Sequence, residues 1–353
     1  MRGSIAGRHR GEGLPPFRLA LLLFLLWSAG SQAQRPAVAR NDVQWLQAMQ
    51  IAAQRLNYTG TIVHQQGADM RSSRIVHFFD GAVAHERLQT LDGRPLEVLR
   101  RADEVRCLIP EARRIVIDKR LGGENFPAIS SGGPTEILRH YMLRLHSLER
   151  VADIECQIIV LEPKDSLRYG YRLCADPASG LLLKAQMLND RQETMEQVAF
   201  SEVRIGERFD AARLRPSWVT DGWSVERNET RPADLARAGW TVVVPDGFRK
   251  LNAVRRTILF AGGSREAMQA VFTDGLATFS VFIEATSTRV DAARSQGSVN
   301  AYVRRIGDAL VTVVGEVPAA TVRTVAMSMQ SSSGGVAPPV APGTSAAESK
   351  SSR

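Results

Sequence analysis

The sequence predicts an α+β protein: a large antiparallel sheet carrying helices, followed by a smaller antiparallel sheet with one helix. Three observations predict it. Short alternating runs follow one another from Tyr58 to Asp118, separated by Asp-Gly turns, which is the pattern of an antiparallel meander. Helical periodicity is confined to a few segments. An Arg/Pro/Asp/Asn-rich stretch, 211–238, separates these elements from a second set of apolar runs.

The chain opens with a basic start (Arg2, Arg8, Arg10, Arg18), the apolar run Leu19-Ala-Leu-Leu-Leu-Phe-Leu-Leu-Trp27, and a small-x-small site ending at Ala33. This reads as a signal peptide, residues 1–33, cleaved after Ala33. A retained anchor is disfavoured, since spanning takes roughly 20 apolar residues. The protein is expected in the periplasm. The formal charge of +8 falls to +5 once the leader's four Arg and one Glu are removed. That balance suits an anionic partner. No basic run with interleaved aromatics argues for nucleic acid.

The large domain is placed at 34–210. Residues 41–57 form an amphipathic helix with Trp45, Met49, Ala52 and Leu56 on one face and Asp42 capping its start. Strands follow at 58–65, 72–79, 83–91, 95–101, 104–109 and 113–118. After the Gly-rich loop 121–133, Pro134 opens a second helix, 134–148, with Ile137, Leu138, Tyr141, Leu145 and Leu148 inward. Four more strands occupy 154–162, 167–175, 181–189 and 194–203. Residues 211–238 are a linker. The small domain, 239–330, has strands at 240–244, 254–260, 270–273, 277–285 and 310–317, then a helix opened by Pro318. The Ser/Gly/Pro/Ala-rich tail, 331–353, is disordered by composition.

Cys156 and Cys174 flank the hairpin turned at residues 163–166 and sit equidistant from it. A disulfide fits that spacing. A register one residue off would leave two half-buried thiols instead. Cys107 is the odd one.

Catalytic machinery is not visible. The sequence has no His-Glu-x-x-His, Cys-x-x-Cys, Gly-x-Ser-x-Gly, phosphate-binding loop or dinucleotide fingerprint, so neither an enzyme nor a cofactor is expected. His77, His85 and Glu86 lie on neighbouring strands, but their spacing matches no known metal site, and no metal is expected. An open sheet with helices on its inner face would leave a pocket suited to acyl chains. Trp45, Tyr58, Phe78, Tyr141 and Tyr169 are candidates to line it, and each also reads as a core residue.

Several short stretches carry a resemblance. They are Leu56-Asn-Tyr-Thr-Gly-Thr-Ile-Val-His64, Arg74-Ile-Val-His77, Leu91-Asp-Gly-Arg-Pro-Leu-Glu-Val-Leu-Arg100, Arg168-Tyr-Gly-Tyr171 and Asp176-Pro-Ala-Ser-Gly-Leu-Leu-Leu-Lys184. In the second domain they are Pro245-Asp-Gly-Phe248, Thr273-Asp-Gly-Leu-Ala-Thr-Phe-Ser-Val-Phe282 and Val311-Thr-Val-Val-Gly-Glu-Val-Pro318. Together they make residues 41–330 resemble the RseB/MucB family of periplasmic regulators. The chain departs from it at Arg150-Val-Ala-Asp-Ile154, where the family often shows Arg-Val-Ala-Gly-Arg.

The resemblance implies a half-open barrel of the LolA/LolB kind for the large domain. It implies a partner, the periplasmic domain of a membrane anti-sigma factor of the RseA/MucA type, shielded from proteolysis and released by lipopolysaccharide or lipoprotein acyl chains. No contact residue carries over from the family; the residues singled out in this sequence are Tyr58, Phe78 and Tyr141 as lipid-facing and Asp274, Gly275, Phe279 and Phe282 as partner-facing. Phe279 and Phe282 are three apart in a strand, so at least one of them is core. The alternative is a lipid or lipoprotein carrier of the LolA/LolB type, against which residues 239–330 argue. A homo-oligomer is left open.

Overall fold

The computed structural model describes residues 40–119, 133–260, 263–285 and 291–332. The leader, most of the Gly-rich loop and residues 333–353 of the tail lie outside the described residues. The large domain begins with α1 (Asp42–Arg55) and β1–β6: Tyr58–Gln66, Asp69–Phe79, Ala84–Thr90, Glu97–Arg101, Glu104–Ile109 and Arg114–Lys119. It continues with α2 (Pro134–His140) and β7–β11: Tyr141–Val151, Ile154–Pro163, Gly170–Ala175, Leu182–Leu188 and Thr194–Ile205. With β12 (Ser224–Arg227) these strands form one 12-stranded sheet in the order β12-β6-β5-β4-β3-β2-β1-β11-β10-β9-β8-β7. It consists of two meanders that meet where β1 pairs β11. All neighbours are antiparallel except β12, which runs parallel to β6. Edge strands β12 and β7 do not pair, so the sheet is not closed.

Helix α1 forms because Asn41, rather than Asp42, caps it: Asn41 accepts from the Gln44 amide, and the Gln44 side chain returns the bond. Its buried stripe of Trp45, Leu46 and Met49 packs with Ile137, Ile159, Leu161, Tyr171 and Leu173. Burying each of these large side chains stabilises by roughly 1.5–3 kcal/mol. Ala52 packs in a second cluster with Tyr58, Ile158 and Phe200. A disulfide joins Cys156 and Cys174, whose Cα atoms are 5.4 Å apart. The register sets Ile158 opposite Cys174, so the bridge runs diagonally across one face of β8 and β9.

The second helix is shorter than the periodicity predicts. It ends at His140, and Tyr141–Val151 is a strand paired with β8. Tyr141 and Leu143 are buried alternately, whereas Leu145 and Leu148 are about half exposed. Residues 137–145 satisfy both periods, and β8 decides between them by offering a ladder to an outer neighbour.

The linker is also more structured than expected. Within 211–238 the segment Ala211–Leu214 makes one 3-10 turn, β12 joins the large sheet, and β13 (Thr230–Pro232) joins the small one. Strands of four and three residues are too short to leave a period.

The small domain contains β14 (Trp240–Thr241), β15 (Arg249–Phe260), β16 (Gly263–Thr273), β17 (Thr278–Ala285), β18 (Ala292–Gln296), β19 (Val299–Ile306), β20 (Ala309–Gly315), α3 (Ala319–Ser328) and β21 (Gln330–Ser331). Its 7-stranded sheet has the order β13-β15-β16-β17-β20-β19-β18. The hairpin β18–β19 is absent from the sequence reading. Its residues are mostly half-buried or exposed, without the clean alternation a covered strand shows. Val322, Val325 and Ala326 of α3 close the core over Phe272, Phe279, Val281 and Val313. Ser331, assigned to the tail by composition, pairs with Trp240.

Candidate functional site at the domain junction

The two sheets meet through a set of side chains that the topology brings together from distant parts of the chain. The hairpin joining β16 to β17 projects from the small domain, and its Leu276 is buried within the α1/α2 core cluster of the large domain. Asp274 holds this hairpin tip in shape by accepting from the amides of Leu276 (2.9 Å) and Ala277 (2.8 Å) through Oδ1. Its Oδ2 accepts from Arg168 Nε (2.7 Å) and from the Tyr141 hydroxyl (3.1 Å), both in the large domain. The Asp274 and Arg168 side chains are both fully buried.

Every arm of the Arg168 guanidinium is used. It also donates to the Asp165 carboxylate and to the Asp246 carbonyl, and it lies 4.9 Å over the Phe248 ring. Planar, fork-like donors suit such a buried site better than an ammonium. Burial, with the Asp274 charge next, holds the Tyr141 hydroxyl well above its ordinary pKa, so it remains a donor. Beside this lock Gly247 adopts a φ of +84°, and a Cβ there would come within 2.3 Å of the His140 ring. Glycine is required at that contact.

Further along the junction Asn300 donates to the Tyr169 hydroxyl (2.9 Å) and to the Val317 carbonyl (2.8 Å). Thr321 donates to the Leu167 carbonyl (2.8 Å). At the far end Glu196 of β11 accepts from His64 Nε2 (2.7 Å) and from Ser298 of the β18–β19 turn. Gln66 donates to Ser298 at 3.3 Å. On the linker side Asp118 binds Arg256 (2.5 Å) and Asn228 (3.0 Å).

The residues expected to face lipid or partner are placed differently from the sequence reading. Tyr58, Phe78 and Tyr141 are all buried in protein contacts. Tyr58 stacks on His77 at 4.9 Å, and Phe78 packs on Phe209 at the end of the large domain. Trp45 and Tyr169 also belong to the core. Asp274 and Gly275 are buried in the domain junction instead of forming an open surface. Phe279 is the core member of its pair, stacked on Phe272. Phe282 is half-buried on the opposite face of the sheet.

Nor do the histidines group as ligands. His77 donates to the Leu56 carbonyl and His85 pairs with Asp80. Among the described residues no group of three or more His, Cys, Asp or Glu is placed to hold a metal ion. No helix among them is long and apolar enough to cross a membrane.

Sequence reasoning missed Arg168, Leu276, Glu196 and Ser298 as junction residues. The Arg168-Tyr-Gly-Tyr171 motif marks one side, but its partner lies 106 positions away, and no local pattern links the two. The pocket expected among Trp45, Tyr58, Phe78, Tyr141 and Tyr169 has a counterpart elsewhere, a cavity of about 600 Å³. It is walled by Val83, Leu99 and Leu214, with Arg100, Arg101 and Arg106 around it beside Glu86 and Glu104. Leu214 belongs to the linker.

Residues 41–218 match the MucB/RseB N-terminal domain, and residues 234–330 match the MucB/RseB C-terminal domain. The chain is 30% identical to the sigma factor AlgU regulatory protein MucB of Pseudomonas aeruginosa over 322 residues, covering 89% of this chain and 98% of that protein. It is 25% identical to the sigma-E factor regulatory protein RseB of Haemophilus influenzae, covering 87% and 95%. Among solved structures, the complex of Pseudomonas aeruginosa MucA and MucB superposes with a TM-score of 0.65 at 26% identity, covering 83% of this chain and 99% of that chain. A structure of MucB in complex with MucA(peri) gives 0.64, also at 26% identity, covering 82% and 99%.

Proposed function

The chain belongs to the MucB/RseB family, and from that premise we propose that it regulates a sigma factor by binding the periplasmic portion of a membrane anti-sigma factor. The observation that carries this reading is the match of both domains, in order, to a protein solved in complex with its anti-sigma partner. A single-domain lipid carrier would not account for residues 234–330. The protein works in the periplasm, where its bound state shields the partner from proteolysis.

Lipopolysaccharide or lipoprotein acyl chains act as the releasing signal. The 600 Å³ cavity supports this clause, because Val83, Leu99 and Leu214 offer apolar walls and Arg101 offers charge to an anionic head group. Arg100 pairs with Glu86 and Arg106 with Glu104, whereas Arg101 is exposed. Because Leu214 lies in the segment tying the sheets together, a ligand in this cavity would bear on the domain arrangement. Release requires the lipid to prefer the partner-free form, since a ligand indifferent to the two states shifts nothing.

Calorimetry of the mature protein with the anti-sigma periplasmic segment from the same genome, with and without lipopolysaccharide, tests both clauses. Binding weakened by the lipid supports the whole reading. Binding unaffected by it removes the sensing clause. A folded protein that does not bind at all removes the regulator.

A further inference from the structure

One stretch, at the end of the large domain and the start of the linker, lies across the sheet without joining it. Residues 207–217 follow β11 and pass over β1–β4. Among the described residues their backbone-to-backbone hydrogen bonds stay within the stretch, from Arg213 to Asp210 and from Arg215 to Ala212. Side chains fasten it instead. At the near end the Glu207 carboxylate accepts from the Thr59 hydroxyl (2.8 Å) and from Arg213 (2.6 Å), and the Glu207 carbonyl accepts from Asn57 (3.1 Å). At the far end the Ser217 amide (2.9 Å) and hydroxyl (3.3 Å) donate to Glu97, whose side chain is fully buried. Arg87 joins that end by donating to Glu97, to the Ser217 hydroxyl and to the Arg213 carbonyl (3.0 Å).

The strip beneath is largely apolar. The register pairs Val76 with Arg87, Arg87 with Leu99 and Glu97 with Leu108, so these side chains share one face with Phe78. Val76, Phe78 and Leu108 are buried, yet they belong to neither core cluster of the large domain. Phe209 packs on Phe78 and on His85, with ring centroids 5.8 Å apart in each case, and the Arg213 guanidinium lies 5.8 Å over the Phe78 ring. Leu214 walls the cavity together with Leu99. The other side of the stretch faces solvent at Asp210, Ala211, Ala212, Arg215 and Pro216.

We propose, on the acyl-chain reading of that cavity, that residues 207–217 are a displaceable cover: the entering chain takes the places of Leu214 and Phe209 against Leu99 and Phe78, and the contact of Ser217 with Glu97 is the latch it releases. A stretch held by side chains and one 3-10 turn opens locally at less cost than a strand, which must give up its ladder. Apolar surface uncovered on Phe78 and Leu99 is covered again by the chain, so the exchange loses little burial. Glu97 keeps Arg87 when Ser217 leaves, so no buried carboxylate is stranded. The bonds of Glu207 hold the near end, and the far end is the one that lifts. Beyond Ser217 the backbone runs into β12 and β13, which lie in the two sheets. Release at Glu97 therefore slackens the path into the domain junction.

Hydrogen exchange on the full mature protein, with and without dodecyl phosphate below its micelle concentration, tests the cover. Without the probe, the hydrogen-bonded amides of Arg213, Arg215 and Ser217 should exchange ahead of β3 and β4. Ser217→Ala should speed them roughly three- to tenfold, the worth of one hydrogen bond, while β8 and β9 stay unchanged as a check on folding. With the probe, the same amides should exchange faster in the unaltered protein, and calorimetry should show Ser217→Ala binding the probe more tightly by a similar factor. If these amides exchange only together with β3 and β4, the stretch is part of the sheet's own unit and the cover is overturned. Probe that binds while the Ser217 amide stays as protected as before overturns the displacement and leaves the acyl-chain reading standing. A probe bound by neither protein overturns the acyl-chain reading and the cover with it.

Discussion

At one end of the junction Asp274 accepts four hydrogen bonds, two from its own turn and two from Tyr141 and Arg168 across the domain boundary. At the other end Glu196 is buried and held by the His64 imidazole, Gln66 and Ser298. Both ends bury an acid, but the first pairs it with a group that stays charged at any physiological pH and the second with one that does not. Burial alone therefore does not decide whether a contact is permanent. The partner's titration decides it. A junction with one fixed and one conditional end can loosen on one side while remaining fastened on the other.

Breaking the fixed end should have the largest effect. Asp274→Ala removes the buried carboxylate from Arg168, leaving it only the part-exposed Asp165, and should cost up to about 3–5 kcal/mol in urea unfolding. If Arg168→Met with Asp274→Leu recovers much of that loss, the penalty lies in the stranded charge rather than in the pair itself. Leu276→Ala empties part of the large domain's core from the small-domain side and should cost about 2–5 kcal/mol. That variant separates packing from charge at the same hairpin.

Replacing Cys156 and Cys174 by serine removes a cross-link of 18 positions. It should lower stability by about 3 kcal/mol on the chain-entropy model without altering any pH dependence. His64→Gln should lower stability at pH 5 and change it little at pH 8, because the hydrogen bond to Glu196 raises the imidazole and its contribution is lost as pH rises. An equal loss at both pH values would remove the contrast between the ends. Arg150→Ala disrupts the exposed pair with Asp153 and should produce no shift in the same unfolding curves, as surface pairs contribute little.

The parts of the fold that were legible are those whose signals are local. The Asp-Gly turns at 80–81 and 92–93 located three strands, and the start of α1 was read one residue early, with Asp42 taken for the cap that Asn41 supplies. The fold failed to be read where two periods coincide, as in 137–145, or where a strand exists only because a neighbour offers it a ladder, as in β12 and β13. The junction was the least legible. Asp274 and Gly275 were noticed as a conspicuous turn, but whether that turn meets solvent or Arg168 depends on a residue 106 positions away. Tyr58, Phe78 and Tyr141 were singled out as aromatic residues, and nothing local distinguishes an aromatic that lines a cavity from one that fills a core.

The short run between β12 and β13 has a mechanical consequence. Arg227 ends the strand laid into the large sheet, and Thr230 begins the one laid into the small sheet. Three peptide links stretch to only about 10 Å. The backbone is thus a stitch with almost no slack, and the Asn228 amide is itself tied to Ile117. A small tilt of one sheet against the other fits within that tether, but a wide separation must first peel an edge strand from one of them. Movement between the domains should accordingly come as a graded rocking up to that limit, followed by an abrupt tear.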